Sequence, residues 1–348
     1  MISNRDVQIV NGKERFEEVA DRRAQTRFRI AKCDIPDEND HQNKSVTYDI
    51  LEDQFESNYL SVIEALTDTN LASQLKGTNK MFFDLFNQML NANSEKNDVL
   101  VFIHGFDNSL TSNLEHIWDL NDIYFKGKEP LKHLVYISWP SYDRLATGYH
   151  ADSENAQATG VALAAVYHKL LLFFIELFKK HNLHQCGGKI HLAAHSMGHQ
   201  VLKSMLSNIS GKLYPFFGEV LLFHADVEDD VFEPGQPYSK LQQMAERTHV
   251  YIHRGDAALL ISKAIMNKNK RLGRKGPVNH ESLNDETFVV DVTRLRNGEA
   301  PRERIVDHWG YLYSKKMIRD VIQVLNGKDE DDSREKVHRK KNWYYLED

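Results

Sequence analysis

The stretch Lys189–Leu202, KIHLAAHSMGHQVL, decides how this chain folds. Its first half, Ile190 to Ala194, is a short apolar run suited to a buried strand. After His195-Ser196-Met197-Gly198, the apolar residues Val201, Leu202 and Met205 recur at helical spacing. The pattern predicts a strand, a sharp turn and a helix, with Ser196 at the corner. Such an elbow holds a serine in a strained backbone conformation with its hydroxyl presented above the sheet, and the N–H groups that open the helix face negative charge. Small residues two before and two after the serine let strand and helix approach. Ala194 and Gly198 occupy those places, the alanine standing where glycine is usual.

Upstream, Asp98–Ile103 is a second apolar, β-branched run, and it stops at His104-Gly105-Phe106. A tetrahedral intermediate on Ser196 needs two backbone donors, one from the residue after the nucleophile and one from the loop after an earlier strand. The amides of Met197 and Phe106 are the expected pair, each worth about 3 to 4 kcal/mol. Gly105 lets the backbone turn inward without a Cβ clash. An acid and then a histidine are required downstream, on later strand ends. Thr248–His253 reads as a strand followed by Arg254-Gly255-Asp256, and Thr287–Val292 as another, with His308 in the Asp307–Gly310 segment before a helix starting near Ser314. Ser196, Asp256 and His308 therefore appear in the order nucleophile, acid, base. Asp226, at the end of the strand-like run Glu219–Ala225, is the alternative acid. Trp139, His104, Gly105 and His195 are expected around the pocket.

These pieces resemble the alpha/beta hydrolase superfamily, and most of all a largely uncharacterised, mainly bacterial branch of it. The resemblance rests on HGF at 104–106, SWPS at 138–141, Tyr149, Asp152-Ser153, AHSMG at 194–198, AD at 225–226 with Phe232, GDAALLIS at 255–262, RLG at 271–273 and His308-Trp309-Gly310. It spans about residues 80 to 325. The histidine-serine elbow is common to many lipases and esterases, whereas SWPS points to the branch. The resemblance implies a serine hydrolase acting on an acyl ester, without naming the ester, and leaves Asp226 and Asp256 both open as the acid.

The rest of the chain agrees. A length of 348 residues with 41% hydrophobic content suits one large catalytic domain with appendages. The net charge of −6 argues against a nucleic-acid binder and gives no general attraction to anionic membranes. Two cysteines, Cys33 and Cys186, are too few for a disulfide framework, and Met1–Val10 lacks the apolar core of a secretory signal, so a cytoplasmic protein is expected. Gly160–Phe178 is nearly long enough for a membrane span, but His168, Lys169 and Glu176 interrupt it; it reads as a helix packed under the sheet, with no integral membrane association. His191, His195 and His199 recur every four residues, yet the first two lie on a strand and are too far apart to share a metal ion. No metal or cofactor is expected. The expected substrate is a small-molecule or lipid acyl ester; the sequence names no protein partner.

Strands opening near 98, 133, 189, 219, 248 and 287, with helices between, predict an α/β fold: a mostly parallel central sheet with helices on both faces. Residues 1–78 read as a polar N-terminal helix or arm (1–25) with two opening strands and a helical segment. Residues 79–326 are the catalytic core, with a lid or cap insertion around 107–158, and 327–348 a mobile charged tail whose Trp343-Tyr344-Tyr345 docks on the domain or a partner. Within the core, 107–130 carry an amphipathic helix that is either a lid or a packing helix, and 140–158 read as irregular. The basic run Lys263–Lys275 reads as a solvated loop, or as an anion-binding element at the pocket mouth.

Overall fold

The computed structural model describes residues 1–18, 24–25, 27–36, 45–52, 55–90, 97–106, 108–127, 130–141, 148–181, 188–266, 270–295, 307–328 and 336–347. Its centre is an eleven-stranded sheet. The strands are β1 (Ile2–Ser3), β4 (Arg29–Asp34), β5 (Thr47–Ile50), β6 (Asp98–Ile103), β7 (Leu131–Ser138), β8 (Ile190–His195), β9 (Phe217–Phe223), β10 (Ala245–Ile252), β11 (Thr287–Arg294), β12 (Lys336–Lys340) and β13 (Trp343–Glu347). In space they run β12-β13-β11-β10-β9-β8-β6-β7-β1-β4-β5. Every neighbouring pair from β13 across to β1 is parallel, and antiparallel pairs close both edges. A separate hairpin joins β2 (Val7–Val10) to β3 (Lys13–Phe16).

Because side chains alternate along a strand, each central strand feeds two cores. Val220 and Leu222 of β9, with Val250 and Ile252 of β10, face one side; Leu221, Phe223 and Tyr251 face the other. The first side is covered by α5 (Tyr149–His181), α6 (Gly198–Asn208), α7 (Leu241–Met244) and α9 (Leu272–Lys275). The second is covered by α4 (Leu110–Tyr124), α10 (Gly310–Tyr313) and α11 (Lys315–Leu325). A third cluster joins α1 (Phe55–Ala65) and α3 (Gly77–Leu90), which flank α2 (Thr69–Gln74), to the far end of α5. By length and composition α5 could cross a membrane. Here it lies on the sheet and on α6, so close that a methyl at Gly160 would sit 2.4 Å from the Val201 carbonyl.

The structure redraws the expected domains. The N-terminus is no arm or helix: β1 inserts between β7 and β4, and the β2–β3 hairpin turns at Asn11-Gly12, both in left-handed conformation. The Asn-Gly signal is a standard hairpin turn, but β1 is too short to show a period. The described end of the tail, 336–347, is likewise no free appendage, and its Trp343-Tyr344-Tyr345 docks on the domain. Trp343, Tyr344, Tyr345 and Leu346 are buried in β13, parallel to β11, because burying three rings completes both cores at that edge. The expected lid is also absent among the described residues: α4 buries Leu110, Ile117, Leu120 and Tyr124 as a packing helix, and α5 starts at Tyr149 within the stretch read as irregular. Residues 142–147, including Tyr142 and Arg144, lie outside the described residues, as does Cys186; Cys33 is a free thiol.

Candidate active site

The elbow forms as the sequence predicts. Ser196 follows β8 directly and precedes α6, with φ of 53°, a left-handed conformation strained for a residue with a side chain. Its amide donates to the Phe223 carbonyl (3.1 Å), while its carbonyl accepts from the amides of His199 and Asp226. Gly198 is needed because a Cβ there would lie 2.5 Å from the His104 carbonyl. The 104–106 loop is equally close: a Cβ on Gly105 would stand 2.9 Å from the Ser196 Cβ. Among the described residues, no backbone hydrogen bond is donated by the amides of Phe106 or Met197.

The loop is held from behind. His104 Nδ1–H donates to the Gly105 carbonyl (2.7 Å), its Nε2 accepts the Trp139 amide (3.0 Å), and its ring stacks on the Trp139 indole, whose N–H donates to the His104 carbonyl (2.8 Å). Burial holds the His104 imidazole neutral, well below its ordinary range. His104 and Trp139, expected as pocket wall, are fully buried and brace the loop instead. The rest of SWPS does the same. Ser138 Oγ accepts from Asn113, and Ser141 Oγ donates to Asp152 (2.5 Å). Asn108 donates to the carbonyls of Gly105 and Phe106, and its own carbonyl accepts from Arg5 Nη2 (2.8 Å). Arg5 carried no visible signal: a lone cation in a polar segment becomes a buried clamp only because β1 enters the sheet beside β7.

The histidine and the acid meet at the same sheet end. Asp256 Oδ2 accepts from His308 Nδ1 at 2.6 Å, and Oδ1 accepts the Leu259 amide (2.9 Å), which opens α8 (Ala257–Met266). Burial alone would raise the Asp256 pKa, but the neighbouring His308 charge and the imidazole hydrogen bonds outweigh it and hold the carboxyl far below its usual range. His195 Nε2–H donates to the His308 carbonyl (2.9 Å), and the two rings lie 4.6 Å apart. The residue just before Ser196 thus holds the backbone of His308. Asp307 supplies the turn, with φ of 52°. Ser196, His308 and Asp256 are 7%, 3% and 0% exposed.

The fold is that of one protein family. A family model described as an alpha/beta hydrolase of unknown function (DUF900) matches residues 82–326, well over half of the chain. The chain belongs to this family. No curated protein sequence matches it. In this alpha/beta hydrolase the two carboxylates left open by sequence have different surroundings. Asp226 is bonded elsewhere: Tyr149 and Ser262 each donate to it at 2.5 Å, and Arg271 Nε lies 3.1 Å away. Arg271 is itself only 2% exposed, so the basic run 263–275 is not uniformly a solvated loop; Lys263 and Lys270 are exposed, and Lys268 lies outside the described residues. Beside this network a polar cavity of about 320 Å³ opens between α5 and α6, lined by Ser153, Gln157, Gln200, Lys203, Asp226 and Arg271 among others. Phe106 packs against Tyr149, linking the cavity wall to the 104–106 loop.

Sequence reasoning missed His224. It follows β9, has φ of 47°, and donates Nδ1–H to the same Asp256 oxygen at 3.0 Å. The ligand atoms of His224, Asp256 and His308 lie within 4.8 Å of one another, as a metal set would, and two hydrogen bonds to one carboxylate oxygen account for that closeness. The repeat His191, His195, His199 does not converge. His191 bonds Asp98, and His199 Nε2 lies 2.9 Å from the Ala194 carbonyl with Nδ1 near Tyr238.

Proposed function

We propose that the protein is a serine-dependent carboxylic ester hydrolase working through an acyl-enzyme on Ser196. The observation that carries this reading is the 2.6 Å bond between Asp256 and His308 Nδ1, made beside a serine held in the left-handed conformation. Asp256 fixes the tautomer with the proton on Nδ1, which leaves His308 Nε2 to take the Ser196 proton as Oγ attacks the ester carbonyl. The amides of Met197 and Phe106 receive the oxyanion. Collapse breaks the C–O bond, and the leaving alcohol takes the proton from His308 Nε2. Water then attacks the acyl-enzyme with the same imidazole as base, and the carboxylic acid leaves with Ser196 restored. Asp226, saturated by its own partners, is a scaffold residue here. The reading needs no cofactor. It assigns the protein to the cytoplasm, acting on a free small-molecule or lipid acyl ester rather than on nucleic acid.

The low exposure of Ser196 favours a second reading, a hydrolase fold that binds without turning over. A fluorophosphonate probe separates the two. The expected result is covalent capture of the wild-type protein, mapped to Ser196 by mass spectrometry and lost in Ser196→Ala, together with hydrolysis of short p-nitrophenyl esters. A folded protein that neither labels nor hydrolyses would be the silent module.

A further inference from the structure

We propose that His224 is a positioning residue for the Ser196–His308–Asp256 reaction: by donating Nδ1–H to the Asp256 oxygen that also receives His308, it orients that carboxylate and sets the basicity of His308. The inference rests on the proposed hydrolase reading and adds a fourth residue to it.

Three observations carry it. The first is the donor set. Asp256 is completely buried and accepts three N–H groups, of which Leu259 fixes Oδ1 while His308 and His224 converge on Oδ2. Without His224, the only donor to Oδ2 among the described residues is His308, so one side chain instead of two aims that oxygen. The second is the backbone. His224 holds φ of 47°, costly for a histidine, and its amide donates to the Tyr251 carbonyl (3.2 Å), so a strained turn is kept at the point that aims the ring. The third is the tautomer. With Nδ1 as donor, Nε2 is a buried lone-pair acceptor without a hydrogen-bond partner among the described residues, so the ring's hydrogen bond there is the one it gives Asp256. Burial also pushes the pKa of this imidazole down, against the raising effect of Asp256.

The electrostatic consequence has a definite sign. Part of the Asp256 charge is spent on His224, so less is available to stabilise the His308 imidazolium. The groups facing His224 are Asp256, His308, His195 and His253, with Asp307 4.0 Å beyond His253. Removing His224 makes His308 more basic and moves the acid limb of its reactivity to higher pH.

The test uses the full-length protein and two variants that both relieve the strained φ. His224→Gly removes the donor; His224→Asn keeps an N–H near the Nδ1 position in a residue that tolerates the left-handed conformation. In His224→Gly, the fluorophosphonate labelling rate at neutral pH should fall about 10-fold and its acid limb rise by about half a pH unit or more, while His224→Asn stays within about 3-fold of wild type. An unchanged pH profile in His224→Gly, or equal damage in both variants, overturns the proposal. A second measurement needs neither a variant nor turnover. Nuclear magnetic resonance of wild-type protein with ¹⁵N-labelled histidine should show two low-field Nδ1–H protons bonded to carboxylate, and a single one overturns the proposal. Labelling that survives Ser196→Ala would defeat the hydrolase reading, while the resonances still decide whether Asp256 is shared.

Discussion

The central strands of this sheet carry buried carboxylate–histidine groupings at both ends, and the two ends differ in strain rather than in chemistry. At the N-terminal end, Glu219 accepts from Arg247 and from His249 Nε2 (3.0 Å), and Asp98 bonds His191 (3.1 Å) and the Lys189 amide (2.8 Å). Burial would raise the Glu219 pKa, but His249 and Arg247 together bring it down to about 2. At the C-terminal end, Asp256 receives two imidazoles in much the same manner. At this end Ser196, His224 and Asp307 are all in the left-handed region, and among the described residues the amides of Phe106 and Met197 beside the serine donate no backbone hydrogen bond. A buried carboxylate–histidine pair is therefore not a site by itself. What marks the site is strain held in place around it, because such conformations persist only where surrounding packing over-determines them.

The sharpest way to break this comparison is to neutralise one carboxylate at each end. Asp256→Asn should reduce kcat for a p-nitrophenyl ester about 10⁴-fold, since an amide cannot hold the His308 tautomer. Glu219→Gln should leave kcat of the folded protein within a few-fold and cost about 1 to 3 kcal/mol of unfolding free energy, because the half-buried Arg247 and the buried His249 lose a charged hydrogen-bond partner. Equal kinetic losses from the two would erase the distinction; urea denaturation with steady-state kinetics measures both. A smaller effect is expected from Gly105→Ala, whose methyl would meet the Ser196 Cβ at 2.9 Å. Shifting the loop should lower kcat about 10- to 100-fold through the Phe106 donor, with little change in melting temperature.

The smallest effect is a dependence on pH, and it is shared by the helix and strand ends around the site. Burial pushes His199 down to about 3 and moves His104 and His195 the same way. These groups stay neutral in the folded chain while their unfolded counterparts protonate below about 6.5, so the unfolded state binds more protons and stability falls as pH falls. His199 adds to this slope from about 6.5 downward, because burial holds its folded pKa down to about 3. The Asp256 contribution has another window: its folded pKa is depressed, so it is fully present above the ordinary carboxylate range near 3.8 and is lost only at lower pH. Melting temperatures from pH 8 to 4 would show the histidine slope first, and a flat profile down to pH 5 would contradict it.

Local pattern sufficed wherever one element carried its own signal. The apolar runs at 98, 133, 190, 219, 248 and 287 became strands, and KIHLAAHSMGHQVL became an elbow, since strand period, helix period and a turn flanked by small residues are properties of neighbours in the chain. The two opening strands, β4 and β5, were legible too, but β1 and β13 were not, for the opposite reason. Ile2-Ser3 is a strand only because β7 and β4 offer it two partners, and the charged tail is one because β11 leaves an edge that Trp343–Leu346 can cover. The order of Ser196, Asp256 and His308 was legible as well, but the preference between Asp226 and Asp256 was not. Both end a strand, and what separates them are partners drawn from Tyr149, Ser262 and Arg271 on one side and from His308 on the other, up to 77 residues from the acid in sequence. Sequence by itself determined the parallel α/β sheet and the serine at its elbow, because those depend on periodicity. The close bracing of the 104–106 loop by Arg5 and Trp139, and the two imidazoles on Asp256, were decided by tertiary structure alone, because hydrogen bonds between remote residues exist only once the sheet has set their positions.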